Sequence, residues 1–123
     1  MMLDAFNTFS WDQAVDGAEV VSEKTVDTRY KNIGEGSPVF LYVHVNEKFE
    51  GTGNLSVELQ HRDGEGGTWE TVLSVGPLEE GGLHQGAETR VSIPPGTEKE
   101  LRTRYVKDGT LSNGKVYAGL RWT

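Results

Sequence analysis

The sequence predicts a single-domain, all-β chain of the sandwich or jelly-roll kind. Three observations carry this. Short runs alternate apolar and polar residues with a period of two, the pattern of half-buried strands. Glycine occurs 16 times in 123 residues and gathers between those runs, where turns need it. No segment longer than about ten residues shows the apolar period of a helix.

The alternation is clearest from Val39 to Asn46, where Val39, Leu41, Val43 and Val45 form one face. These are assigned to the core, and Phe40, Tyr42 and His44 then face outward or toward a partner. The next run places Leu55, Val57 and Leu59 inward against Ser56, Glu58 and Gln60. Trp69–Val75 and Thr89–Ile93 follow. Leu101, Thr103 and Tyr105 then alternate with Arg102 and Arg104. The last run sets Val116, Ala118 and Leu120 inward, opposite Tyr117 and Arg121. Glu19–Val26 is a plausible first strand, and Phe9–Val15 is left for a helical turn or two. Asn113-Gly114 suits a tight hairpin turn needing positive φ. Pro94-Pro95-Gly96-Thr97 ends one strand and starts a turn, because proline cannot donate to a ladder. About seven to eight antiparallel strands result, the number of a sandwich or jelly roll. One domain is expected over 1–123, with an N-terminal arm at 1–15 and the jelly roll at 16–123.

Composition narrows the function. The net charge of −7 repels phosphate backbones and anionic surfaces, so neither nucleic acid nor a membrane is an expected partner. With no cysteine, disulfides, thiolate metal sites and cysteine nucleophiles drop out, which suits folding in a reducing cytosol. Met1–Ser10 has no basic or apolar region of a secretory signal. The longest apolar run, Val39–Val45 if His44 is admitted, is far short of the ~20 residues of a membrane helix.

No catalytic pattern emerges. His44, His61 and His84 lack the spacing that puts two imidazoles on one metal. Glu79-Glu80 and the pair Glu98 and Glu100 sit in polar, glycine- or proline-flanked stretches and read as solvated loops rather than an acid/base pair. A nucleophile elbow is absent. Gly64-Glu65-Gly66-Gly67 opens no helix and reads as a hairpin tip, not a phosphate loop. No enzyme activity, cofactor or metal is expected. The aromatic residues Trp11, Trp69, Trp122, Phe40, Tyr42 and Tyr117 admit three readings: a subunit interface, a covered sheet face, or a sugar-binding platform. Aromatic enrichment at protein interfaces favours the first.

Several blocks, in order, resemble the jelly-roll capsid cement proteins of short-tailed, double-stranded DNA phages. The start Met2-Leu3-Asp4-Ala5-Phe6 with Phe9-Ser10 is similar to that family's "M-x-L-D-A" opening and its phenylalanine-containing stretch. Asn32-Ile33-Gly34-Glu35-Gly36-Ser37-Pro38-Val39 looks like its glycine-proline lead-in to a hydrophobic strand. Leu55-Ser56-Val57-Glu58-Leu59-Gln60 matches an "L-x-V-x-L-Q" strand. Ile93-Pro94-Pro95-Gly96-Thr97 running to Tyr105 matches an "I-P-x-G-T" segment, and Gly114-Lys115-Val116-Tyr117-Ala118-Gly119-Leu120 matches a "G-K-V-x-A-G-L" end. The blocks span essentially the whole chain. Asp63–Gly67 and the glycine- and glutamate-rich Leu78–Gly86 depart from the pattern, both in loops. The resemblance implies a jelly roll with no catalytic residue and no cofactor. It also implies a homodimer, with a trimer as the other option, that sits on the outer capsid surface of the virion and clamps subunits of the major capsid protein. Candidate contacts are the N-terminal Leu3, Phe6, Phe9 and Trp11, the outward aromatics Phe40, Tyr42 and Tyr117, and the cations Arg102, Arg104 and Arg121. The competing readings are a carbohydrate-binding jelly roll, a metal-binding cupin-like enzyme, and a tail or baseplate accessory protein.

Overall fold

A computed structural model describes residues 7–28, 39–64, 66–79 and 83–122. Among them the chain is all β, in two antiparallel sheets packed face to face. The elements are β1 (Thr8–Ala14), β2 (Glu19–Val21), β3 (Val26–Asp27), β4 (Val39–Glu50), β5 (Gly53–Arg62), β6 (Glu70–Glu79), β7 (Glu88–Ser92), β8 (Glu100–Gly109) and β9 (Ser112–Trp122). One sheet has the order β1-β9-β4-β7; the other runs β2-β8-β5-β6, with β3 also paired to β8. The chain winds back and forth between the sheets, an arrangement consistent with a jelly roll.

The alternation read from the sequence fixes which side of each strand is buried. Val39, Leu41, Val43 and Val45 of β4 meet Leu55, Val57 and Leu59 of β5, Leu101 and Tyr105 of β8, and Val116, Ala118 and Leu120 of β9 in one core. The most demanding member is Tyr105, which is fully buried with its hydroxyl. Burying an unpaired hydroxyl is costly, and here a chain of hydroxyls meets the need. Thr103 Oγ1 donates to Tyr105 Oη (2.9 Å), Tyr105 Oη lies 2.7 Å from Ser10 Oγ, and Ser10 Oγ donates to Gln13 Oε1 (2.6 Å). Since Ser10 spends its proton on Gln13, Tyr105 is the donor to Ser10. Burial pushes the Tyr105 phenol up to about 12, against the opposing pull of the Ser10 and Thr103 hydrogen bonds.

Four expectations are corrected. Phe9–Val15 forms no helical turn, because residues 8–14 make β1, hydrogen-bonded along β9. The arm drawn at 1–15 therefore runs too far: Phe9 and Val15 are fully buried in the core. Register shifts between Thr8 and Ser10 and between Ser10 and Gln13 break the period of two, which is why alternation missed this strand. The stretch Glu19–Val26 is two short strands on β8 rather than one. Finally, Asn113 (φ 57°) and Gly114 (φ 84°) do adopt the positive φ foreseen, but inside β9, opposite Phe49. The buried Phe49 ring lies against the Gly114 Cα, where a Cβ would stand only 2.4–2.5 Å from three ring carbons, so the site demands glycine. The turn itself falls between Gly109 and Ser112.

Candidate functional site

The outer face of the four-stranded sheet gathers Trp11, Phe40, Tyr42 and Tyr117. Its even positions on β4 bring Phe40 opposite Arg121, Tyr42 opposite Gly119 and His44 opposite Tyr117 on β9. On the other side of β4, Tyr42 faces Arg90 and His44 faces Glu88 of β7. A row of rings crosses three strands. Trp11 of β1 meets Tyr117 of β9 edge to face, centroids 5.7 Å apart, and Tyr117 meets Tyr42 of β4 in the same manner at 6.3 Å. The Arg90 guanidinium lies 4.7 Å over the Phe40 ring and closes the row with a cation–π contact.

Each ring is held in place. Tyr117 lies over Gly119, where an added Cβ would stand 2.5 Å from the Tyr117 hydroxyl; only glycine leaves that room. Tyr117 Oη lies 3.1 Å from Thr8 Oγ1. Trp11 is 54% exposed, and its strand is stitched to the segment that follows β2. The Trp11 amide donates to Glu23 Oε1, Gln13 Nε2 donates to the Val21 carbonyl, and the Glu23 and Lys24 amides donate to Gln13 Oε1 and the Phe9 carbonyl. From β4, Asn46 Nδ2 donates to the Trp11 carbonyl and to Asp12 Oδ1. His44 Nδ1 donates to Asn46 Oδ1 at 2.7 Å, while its Nε2 lies 3.9 Å from Glu88. Trp11 thus projects from a fixed backbone, as a contact residue does that loses little entropy on binding.

Tyr42 is the unusual member. It is 5% exposed, yet its hydroxyl has no hydrogen-bond partner among the described residues. Burial pushes its phenol up to about 12. The Glu88 carboxylate adds to the rise, first as a nearby acceptor for the hydroxyl and then by its charge, and Arg121 opposes it; the contact is too long or too bent to count as a formed hydrogen bond. A buried hydroxyl without a partner costs roughly 1–3 kcal/mol, so an acceptor or donor arriving from outside would be rewarded.

The ten candidate contacts separate accordingly. Trp11, Phe40, Tyr42, Tyr117 and Arg121 share this one face. Phe9 lies in the core, pointing away from it. Leu3 and Phe6 fall outside the described residues. Arg102 and Arg104 face outward on the opposite sheet, where neighbouring strands already engage them. Arg104 bonds to Glu19 (2.6 Å) and Glu58 (2.7 Å), which raises its pKa. Arg102 donates to Gln60 Oε1 and lies over the Trp69 ring, which Arg62 also covers. Burial, with Arg62 and Arg104 nearby, lowers the Arg102 pKa. Trp69 is therefore clamped between β5 and β8 as a brace for the hairpin tip. Sequence reading missed this clamp, the Arg90–Phe40 contact and the role of Gly119. Each depends on cross-strand register, and only the sign change from Glu88 to Arg90 is visible along the chain.

Among the described residues no three histidine or carboxylate side chains converge as a metal site. His61 Nδ1 accepts from the Glu98 amide, and His84 Nδ1 lies 3.1 Å from the Gln85 carbonyl, so the three histidines serve separate local bonds. An open cleft of about 360 Å³ beside His61, Thr68, Glu70 and Glu98 lies at the end of the five-stranded sheet. Of the two carboxylates considered as a pair, Glu100 is ion-paired to Arg62, whereas Glu98 borders the cleft.

The family model named Bbp16 matches residues 9–120. The chain belongs to the Bbp16 family. No curated protein matches it.

Proposed function

We propose that this Bbp16-family chain is a capsid cement protein. It binds the outer surface of an assembled phage shell and staples adjacent major capsid subunits. The observation that carries the reading is the aromatic row Trp11–Tyr117–Tyr42 on the outer face of the four-stranded sheet, with Trp11 exposed and the buried Tyr42 hydroxyl making no formed hydrogen bond among the described residues. Interfaces between proteins are built around such aromatic anchors. Family membership and the resemblance of the sequence blocks support the phage assignment. The net charge of −7 keeps such a protein dispersed and away from the packaged DNA.

The mechanism is mass action. A protein that binds only the assembled shell stabilises it by RT ln(1 + [L]/Kd) at each site, and many equivalent sites act together against internal pressure. The rings are held edge to face, with interplanar angles of 76° and 61°, and only Trp11 is strongly exposed. Stacking on sugars favours an open, flat ring, so this geometry supports a protein partner over a glycan. The test is the melting temperature of expanded shells lacking the protein, measured as purified protein is added. A saturable rise supports cementing. An unchanged melting temperature at all concentrations refutes it and directs attention to tail and baseplate components.

A further inference from the structure

We propose that Arg90, held over Phe40 beside the aromatic row, is a carboxylate-binding anchor that takes an aspartate or glutamate side chain of the major capsid subunit. This rests on the shell reading and names the chemistry that the shell presents to this face. Cross-strand register assembles the anchor. Arg90 of β7 stands opposite Tyr42 of β4, and its guanidinium reaches diagonally to lie 4.7 Å over the Phe40 ring. Arg121 of β9 stands opposite Phe40 on the other side of β4. The Phe40 end of the face thus gathers two arginines on a chain whose net charge is −7.

Arginines of the opposite sheet are matched from within. Arg62 pairs with Glu100, Arg104 pairs with Glu19 and Glu58, and Arg102 donates to Gln60 Oε1. Arg90 is different. It is exposed, and among the described residues its guanidinium N–H groups make no hydrogen bond and no ion pair. The acid of its own strand, Glu88, is turned elsewhere: its carboxylate lies 3.9 Å from His44 Nε2 and beside the Tyr42 hydroxyl. At the other end of the row Asp12 accepts from Asn46, and Glu23 accepts from the Trp11 amide. The acids of this face are spent inside the chain, and Arg90 is left for a partner.

A guanidinium presents a planar fork that fits a carboxylate through two parallel hydrogen bonds. The contact with Phe40 restricts the side chain before binding, so less freedom is lost when the fork closes on an acid. A single carboxylate also suits the charge of the site. It balances Arg90, whereas a phosphate polyanion would meet Glu88 and the negative field of the whole chain. Arginine and aromatic side chains dominate interface hot spots, and charge pairs fix the register in which two surfaces meet. Trp11 offers apolar contact at one end of the face, and Arg90 sets which way round the partner lies.

Co-sedimentation with expanded shells lacking this protein tests the anchor, with Trp11→Ala as the reference for the shell reading itself. Circular dichroism and the unfolding midpoint establish that each variant is folded. Arg90→Gln is expected to weaken shell binding about tenfold or more, as hot-spot truncations do. Arg90→Glu should weaken it further. Added salt should weaken the unmodified chain more than Arg90→Gln, so that the gap between them narrows. Arg90→Lys gives the chemical readout. Treated with a carbodiimide on the shell, the introduced amine is expected to form an amide with an aspartate or glutamate of the major capsid subunit, located by peptide mass spectrometry. Arg90→Gln binding within about twofold of the unmodified chain, while Trp11→Ala loses binding, overturns the anchor and leaves the shell reading standing. A loss with Arg90→Gln that is equal at low and high salt, or an Arg90→Lys chain that binds yet couples to no capsid acid, overturns the carboxylate. An unmodified chain that binds no shells removes both readings.

Discussion

Trp11 and Tyr117 stand edge to face at 5.7 Å although they lie on different strands, and Tyr117 fits only because Gly119 beneath it has no side chain. This relationship turns one exposed indole into part of a preorganised row. Replacing Trp11 by Ala leaves the core untouched, since the side chain is half exposed. Hot-spot truncations cost about 2 kcal/mol or more. Trp11→Ala is therefore expected to weaken shell binding by roughly thirtyfold, while destabilising the free protein by only about 0.5–1.5 kcal/mol, the worth of the edge-to-face contact it loses. Co-sedimentation with expanded shells measures it. Gly119→Val should weaken binding in the same assay by displacing the Tyr117 ring.

Tyr42 carries a buried hydroxyl with no partner among the described residues. Removing it relieves a desolvation cost, so Tyr42→Phe should stabilise the free protein by up to about 1 kcal/mol in denaturant unfolding. The same variant should bind shells more weakly, because the partner loses a hydrogen bond. Lower stability together with undiminished binding would show that the hydroxyl serves the fold alone.

Phe9 tests the placement of β1. Its ring is fully buried, and Phe→Ala in a core costs about 3–5 kcal/mol. Phe9→Ala should lower the midpoint of thermal unfolding by many degrees. A flexible arm at this position would leave the midpoint where it is.

Tyr105 makes a pH prediction. The fold holds its phenol protonated up to about 12, mainly through burial, whereas the unfolded chain releases the proton near 10. Between these values the native state binds more protons, so this stabilisation is present below pH 10 and is lost as pH rises toward 12. At about 1.4 kcal/mol per unit, it is worth roughly 2–3 kcal/mol. Tyr42, also raised to about 12, acts in the same direction. Tyr105→Phe should flatten the alkaline loss of stability by roughly half, at a cost of about 1–2 kcal/mol near neutrality from the broken hydroxyl chain. Denaturant titrations across pH 8–12 check both effects.

Arg104 and Arg102 sit on the sheet opposite the aromatic face, each engaged with neighbouring strands. Arg102→Ala and Arg104→Ala are expected to leave shell affinity within about twofold. Exposed pairs contribute up to about 1 kcal/mol to stability, and the Arg104 variant should lose no more than that. A tenfold loss of shell binding in either variant would move the contact to the five-stranded sheet.

Much of the fold was legible in the sequence where one face of a strand is buried. Val39 to Val45, Leu55 to Leu59, Leu101 to Tyr105 and Val116 to Leu120 alternate in sequence and are buried in the same phase. Legibility failed where the ladder is irregular. The two register shifts of β1 put Phe9 inward out of step with its neighbours, and the positive φ at Asn113 and Gly114 belongs to a strand rather than a turn. The candidate site was half legible. Outward aromatics could be named one by one from strand phase, but their meeting across β1, β9 and β4 depends on register, which no local pattern encodes. For the same reason Arg102 and Arg104 looked available, while Glu58, Glu19 and Gln60 were placed beside them by pairing.

The measurement that tests the central claim most directly is a count of copies bound to expanded shells lacking this protein. Shells are mixed with increasing amounts of the purified chain, pelleted, and the bound copies counted per major capsid subunit. The cement reading predicts saturation at a fixed ratio set by the lattice, and loss of that binding with Trp11→Ala. Copies that fail to sediment with the shells, or that accumulate without saturating, would contradict it.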